Sequence, residues 1–183
     1  MTRLTRYDDS APFTERADLH DFAAIADTIA EAGITLERWQ ADAELTPEST
    51  DADILAAYSG DIERLKARGG YETVDVLRLG PDHPDRAAMR AKFLAEHIHD
   101  DDEVRFFVEG AGLFYIRAHG TVNALECTAG DLIVLPAGTQ HWFDTGERPN
   151  FAVLRLFTTP EGWVARFTGD TIAEDIPHYE GAL

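Results

Sequence analysis

His97-Ile98-His99 places two imidazoles at positions i and i+2, and on an extended chain such side chains leave from one face. Glu103 follows with the same parity, unless a bulge in Asp100-Asp101-Asp102 shifts the phase. His141, at the end of Leu135-Pro136-Ala137-Gly138-Thr139-Gln140-His141, is a fourth candidate far along the chain. Alone, the two histidines would read as a solvated pair at a helix end, and Glu103 as a surface carboxylate. Together, these imidazole and carboxylate donors suit a divalent transition metal. On a six-coordinate ion they would leave two positions free, as a bidentate substrate requires.

Arg105 shares the parity of Glu103 and is expected to face the interior, where an unpaired guanidinium is expensive. Its partner is either an anionic ligand or a structural carboxylate such as Asp101 or Asp102. Phe143 shares the parity of His141 and should also point inward. Glu96, Asp100, Asp101 and Asp102 crowd the ligand run and read as solvated groups or as groups that orient metal-bound imidazoles. His119, in the turn Ala118-His119-Gly120-Thr121, and His178 lack partners at metal spacing and read as surface residues.

Helices and strands must hold these groups in place. From Leu19 to Gly33 the residues Phe22, Ile25, Ile29 and Ile34 predict an amphipathic helix. A second helical stretch opens after Thr50, with Ile54, Leu55, Tyr58, Ile62 and Leu65 as its stripe and Gly69-Gly70 as its end. Val74–Leu79 reads as a short strand, and Pro84 suits the first turn of a helix through Ala87 to Ala95. The first half is thus expected to be mostly helical. After His97 come strand-like runs at Glu103–Glu109, Gly112–Ala118, Val122–Cys127, Leu132–Leu135, Phe151–Thr158 and Trp163–Thr168, which suggest an antiparallel sandwich or barrel.

Composition narrows the function classes. The 183 residues, 44% hydrophobic, suit one core, so a single domain is the default. Acidic residues outnumber basic ones 34 to 16, and the net charge of −18 opposes binding to nucleic acid or anionic membranes. Cys127 is the single cysteine, so no intramolecular disulfide forms; beside Leu125 in a strand-like run it reads as a core residue. The polar start, Met1 to Phe13, lacks the apolar stretch of a secretory signal, and no run approaches the ~20 apolar residues of a membrane span. The chain reads as cytoplasmic.

His97-Ile98-His99, Glu103 and Gly110 reproduce the first motif of the cupin superfamily, and Gly130, Pro136, Gly138 and His141 reproduce the second, so the chain resembles that superfamily. Ala91 and Thr145 depart from it, at positions that are often Gly and Asn. The segments Glu103–Phe114 and His141-Trp142-Phe143-Asp144 narrow the resemblance to the acireductone dioxygenase family. Leu36-Glu37-Arg38-Trp39-Gln40-Ala41-Asp42, Arg148-Pro149-Asn150-Phe151 and Pro160-Glu161-Gly162-Trp163 extend it over nearly the whole chain.

The resemblance implies a mainly β fold with flanking helices: a cupin-type antiparallel barrel, or jelly roll, with a helical N-terminal half. It implies one cupin domain over 1–183, helical over about 1–95, with its barrel core over about 74–170. It also implies one Fe(2+) or Ni(2+) per chain on His97, His99, Glu103 and His141, with Arg105 facing a dianionic substrate and Phe93, Phe143 and Trp163 around its methylthio tail. The implied partners are acireductone and O2, with no nucleic acid or membrane, and the expected state is a monomer. Iron would give formate and a keto acid; nickel would give formate, carbon monoxide and methylthiopropionate. Because the cupin fold hosts many functions, two alternatives stand beside this one. One is another cupin oxygenase or isomerase using the same metal. The other is a non-enzymatic small-molecule sensor, although the acidic first half offers no basic recognition helix.

Overall fold

The computed structural model of the protein describes residues 1–41, 43–46, 48–160 and 162–181; Asp42 and Glu161, which belong to two of the segments quoted above, lie outside them. In chain order the elements are β1 (Arg3–Asp8), β2 (Glu15–Leu19), α1 (Phe22–Ala30), β3 (Thr35–Arg38), α2 (Asp51–Ala57), α3 (Ser59–Gly69), β4 (Thr73–Leu79) and α4 (Arg86–Phe93). There follow β5 (His97–Ile98), β6 (Glu103–Ala118), β7 (Thr121–Thr128), β8 (Asp131–Leu135), β9 (Gln140–Asp144), β10 (Phe151–Phe157), β11 (Arg166–Phe167) and α5 (Ile172–Asp175). The first helix is capped by Asp21, whose carboxylate accepts from the Ala24 N–H. Thr50 and Asp53 form a capping box at the start of α2. Gly70, left-handed at φ +70°, ends α3 as the Gly69-Gly70 pair predicts.

The strands pair antiparallel throughout, and β6 belongs to both layers. Its first half pairs with β8 and β10 in the order β4-β10-β6-β8-β3, and its second half pairs with β7 and β9 in the order β2-β1-β7-β6-β9-β5-β11. The chain changes layer near Gly110, which sits at φ +70°, and a Cβ there would lie 1.7 Å from the Asn150 carbonyl oxygen. Only glycine fits this bend. The two strands expected at Glu103–Glu109 and Gly112–Ala118 are therefore one strand that bends between sheets.

Burial follows this arrangement. Phe107, Ile133 and Val153 of one sheet pack against Phe114, Leu125, Cys127 and Phe143 of the other, joined by Ile25 and Ile29 of α1. The outer face of the first sheet, with Val104, Phe106 and Leu154, is covered by Ile54, Ile62 and Leu65 of α2 and α3. The outer face of the second, with Tyr115 and Trp142, is covered by Ile172, Ala173 and Ile176. Inward residues are odd-numbered at Glu103, Arg105 and Phe107 and even-numbered at Phe114 and Ile116, because a bulge at Val108, between the partners of Ala152 and Val153, shifts the alternation. Among the described residues, no helix is long and apolar enough to cross a membrane.

The helical N-terminal half is corrected. Residues before His97 supply four helices but also β1 to β4, of which β1 pairs with β2 and β7, β3 with β8 and β4 with β10. Segments such as Arg3–Asp8 and Thr35–Arg38 carry few apolar residues, and backbone pairing to a distant strand holds them extended. The second helical stretch is interrupted at Tyr58. The strand expected over Trp163–Thr168 shrinks to Arg166–Phe167. Gln140–Asp144, not read as a strand, is β9; Trp142 and Phe143 are both buried, so it lacks the alternation of a half-exposed strand.

Candidate metal centre

His97 on β5 is the register partner of His141 on β9, so the antiparallel pairing sets two imidazoles side by side. His99 lies just beyond β5. Glu103 opens β6 in the other layer, beside Leu135 of β8. A regular strand through the four residues from Asp100 on, as parity assumed, does not form, because the chain bends at Asp100 and Asp101 before β6 begins. The groups still meet, now from facing sheets. One ligand atom from each of His97, His99, Glu103 and His141 lies within 4.8 Å of the others, and all four residues are buried.

Each imidazole is oriented by main chain. The Nδ1–H of His97 donates to the Ala95 carbonyl at 2.7 Å, that of His99 to Val164 at 3.1 Å and that of His141 to Thr139 at 2.8 Å. Protonated at Nδ1, a neutral ring turns the lone pair of Nε2 inward. The Nε2 atoms of His99 and His141 both stand 3.0 Å from Glu103 Oε2. Lone pairs facing a carboxylate oxygen at that distance repel unless a cation lies between them. Ligand bonds of about 2.0–2.2 Å at right angles place neighbouring donors about 3 Å apart, so a single divalent ion fits this donor set. Burial and the facing His141 push the His97 pKa down to about 4. At His99 burial acts the same way, but Glu103 outweighs it and the pKa is raised. Burial opposes ionisation of Glu103, yet Arg105 and the two imidazoles hold its pKa well below the usual carboxylate range.

Arg105 faces the same space. Its Nη2 donates to Glu103 Oε1 at 2.7 Å, so its protein partner is a metal ligand candidate and not Asp101 or Asp102. Its guanidinium lies 4.5 Å from the Phe143 ring centre, 5.1 Å from Phe114 and 5.7 Å from Trp163. The buried Nε–H has no partner among the described residues. A buried donor without an acceptor is costly, and an anionic ligand in the adjoining cavity would relieve it.

That cavity, about 150 Å³, is lined by all four ligand candidates with Arg105, Phe93, Phe143 and Trp163. Trp163 is fixed by its indole N–H, which donates to the Asp102 carbonyl at 3.0 Å. Sequence reasoning missed three further lining residues, Lys92, Arg155 and Ala165. Arg155 is the cross-strand neighbour of Arg105 and is held by Asp75 through bonds of 2.9 and 2.6 Å. Its signal was a lone charge in the apolar run Phe151–Phe157. A wider groove of about 820 Å³ between β3 and α3 lies away from the ligands, and its arginines pair with Glu37, Asp61 and Asp131.

The nearby carboxylates do not orient the imidazoles. Glu96 is buried and accepts from Thr168 and Arg117, Asp100 pairs with Arg166, and Asp102 accepts from Tyr71 and the Ala137 N–H. His119 and His178 are exposed, and Cys127 is buried in the core. Ala91 lies within α4, while Thr145 follows β9 and donates to the Gly146 carbonyl.

The model of the ARD/ARD′ family matches residues 3–165 of this chain. A protein named acireductone dioxygenase from Parvibaculum lavamentivorans is 54% identical over 180 residues, covering 98% of both chains. One of the same name from Synechococcus sp. is 53% identical over 178 residues, covering 97% of this chain and 98% of its own. Among solved structures, the acireductone dioxygenase from Bacillus anthracis with a cadmium ion in its active centre superimposes with a TM-score of 0.78 at 31% identity, over 91% of this chain and 98% of that one.

Proposed function

The chain belongs to the ARD/ARD′ family, and from that membership we propose its chemistry: it is an acireductone dioxygenase that cleaves 1,2-dihydroxy-3-keto-5-methylthiopentene with O2 in methionine salvage. The observation that carries this reading is the set of three imidazoles and one carboxylate, converging at a cavity that also holds a buried, under-bonded arginine. His97, His99, Glu103 and His141 hold one Fe(2+) or Ni(2+) per chain. When bound, such an ion would supply the positive charge that favours the deprotonated enediol.

The residues around it do the rest. Arg105 offers its free Nε–H to the substrate anion while Glu103 fixes the other end of its guanidinium. The aromatic stack beneath the guanidinium keeps water from it, so its charge acts at low dielectric. Phe93, Phe143 and Trp163 receive the apolar methylthio tail and place the enediol end toward the ligands. The bound, electron-rich dianion then reacts with O2. With iron the products are formate and 4-methylthio-2-oxobutanoate; with nickel they are formate, carbon monoxide and methylthiopropionate.

The same reading makes the chain one cupin domain over 1–183, with a jelly-roll barrel over about 74–170, acting as a cytoplasmic monomer without nucleic-acid or membrane partners. The two antiparallel layers sharing β6 and the likeness to the Bacillus anthracis structure support the barrel. The decisive experiment is anaerobic addition of acireductone to iron-loaded and nickel-loaded protein, followed by O2 and product analysis. The keto acid from iron protein and carbon monoxide from nickel protein are expected. Identical products from both well-loaded forms would refute the dependence of product on metal, and consumption no faster than spontaneous oxidation would sink the enzyme.

A further inference from the structure

A glycine inside a strand costs stability unless something needs its missing side chain. Gly112 lies within β6, opposite Cys127 of β7, and does not adopt a positive φ, so its backbone would accept any residue. What it lacks is room. A Cβ on Gly112 would lie 2.3 Å from Cζ and 2.6 Å from Cε2 of Phe143. Phe143 on β9 is the register partner of Phe114, and its ring leans diagonally over Gly112 into the gap.

The ring is hemmed in on its other sides. Phe114, Phe151 and Phe107 stand 4.7, 5.9 and 6.3 Å from it, centre to centre, and the residue is buried. The remaining side is the cavity, where Phe143 forms a wall and supports the Arg105 guanidinium. Ordinary carbon contact is about 3.5–4.0 Å, so a methyl at position 112 must drive the ring at least ~1 Å toward that cavity. In a space of about 150 Å³ this shortens the room for a substrate tail.

We propose that Gly112 is a specificity-determining residue: its absent side chain is the space that Phe143 occupies, and this sets how long a substrate tail the pocket accepts. The inference rests on the functional reading above. It is tested with acireductones whose side chains run from methyl to the methylthioethyl length, on metal-loaded wild type, Gly112→Ala, Phe143→Leu and the double variant. The ratio of kcat/KM for the long over the short substrate should fall at least ~10-fold in Gly112→Ala, the size expected for losing a methylene or two of pocket. Metal content should be unchanged. Adding Phe143→Leu, which removes the clashing ring edge, should restore the ratio, and should restore folding if Gly112→Ala does not fold. An unchanged ratio in folded Gly112→Ala overturns the proposal, as does a double variant no better than the single one. If wild type consumes no acireductone, the functional reading fails instead. A crystal structure of Gly112→Ala then judges the inference alone, with a displaced Phe143 ring supporting it and an unmoved ring overturning it.

Discussion

Arg105 and the imidazoles make different demands on the same cavity, and substitution separates them. Removing His97 and His141 together deletes two of the donors that converge at the centre. That double alanine variant should lose most of its metal, read as ions per chain. Arg105→Ala removes no donor and should keep about one ion per chain. Its kcat/KM should fall by about 10²- to 10³-fold, as when a preorganised donor to a developing or bound anion is lost. Anaerobic spectra of the substrate complex should show impaired binding or deprotonation. Unchanged kinetics in Arg105→Ala would make the arginine a structural partner of Glu103, and full metal retention in the histidine variant would remove the metal assignment.

Among the elements, α4 is tied to β9 by an ion pair as well as by the packing of Met89 and Phe93 on the core. Asp144, at the end of β9, is fully buried and accepts from Arg90 of α4 at 2.7 and 3.0 Å. It also accepts the N–H groups of Gly146 and Tyr179, so β9, α4 and the segment after α5 meet on one carboxylate. The same helix carries Lys92 and Phe93 to the cavity wall. Arg90→Ala leaves that carboxylate without its cation and should cost about 3 kcal/mol, the scale for breaking a buried pair. A thermal midpoint lower by roughly 6–12 °C is expected for a chain of this size. An unchanged midpoint would show that Gly146 and Tyr179 alone suffice.

At the scale of the whole molecule, the centre joins the two layers. His97 and His141 come from β5 and β9 in one sheet, while Glu103 opens the half of β6 that pairs within the other. An ion held by all of them would tie the layers together, and would do so only in the folded chain. At free metal about 100-fold above its dissociation constant, linkage gives about 2.7 kcal/mol. Chelation should therefore lower the thermal midpoint by roughly 5–11 °C, and iron or nickel should restore it. A midpoint indifferent to chelator in protein shown to have lost its ion would mean that the sheets are fixed without it.

The sequence by itself singled out the four candidate ligands, the inward course of Arg105 and the β-rich second half. Those depend on residue type and short spacing, which periodicity reads directly. It also marked the helix ends at Thr50 and Gly70, where local hydrogen bonding and left-handed backbone decide the outcome. It misjudged β1, β3 and β9, because nothing within Arg3–Asp8 or Thr35–Arg38 makes them extended except pairing with β7 and β8 far along the chain. The reason the four ligands meet was likewise hidden. Parity along one strand predicted it, whereas a bend at Asp100 and Asp101 and the packing of two sheets bring it about. Only the tertiary structure could show that main-chain carbonyls orient the imidazoles, that Arg155 stands beside Arg105, and that Phe143 fills the space above Gly112. Those relations are set by which strands become neighbours, and no local pattern encodes that choice.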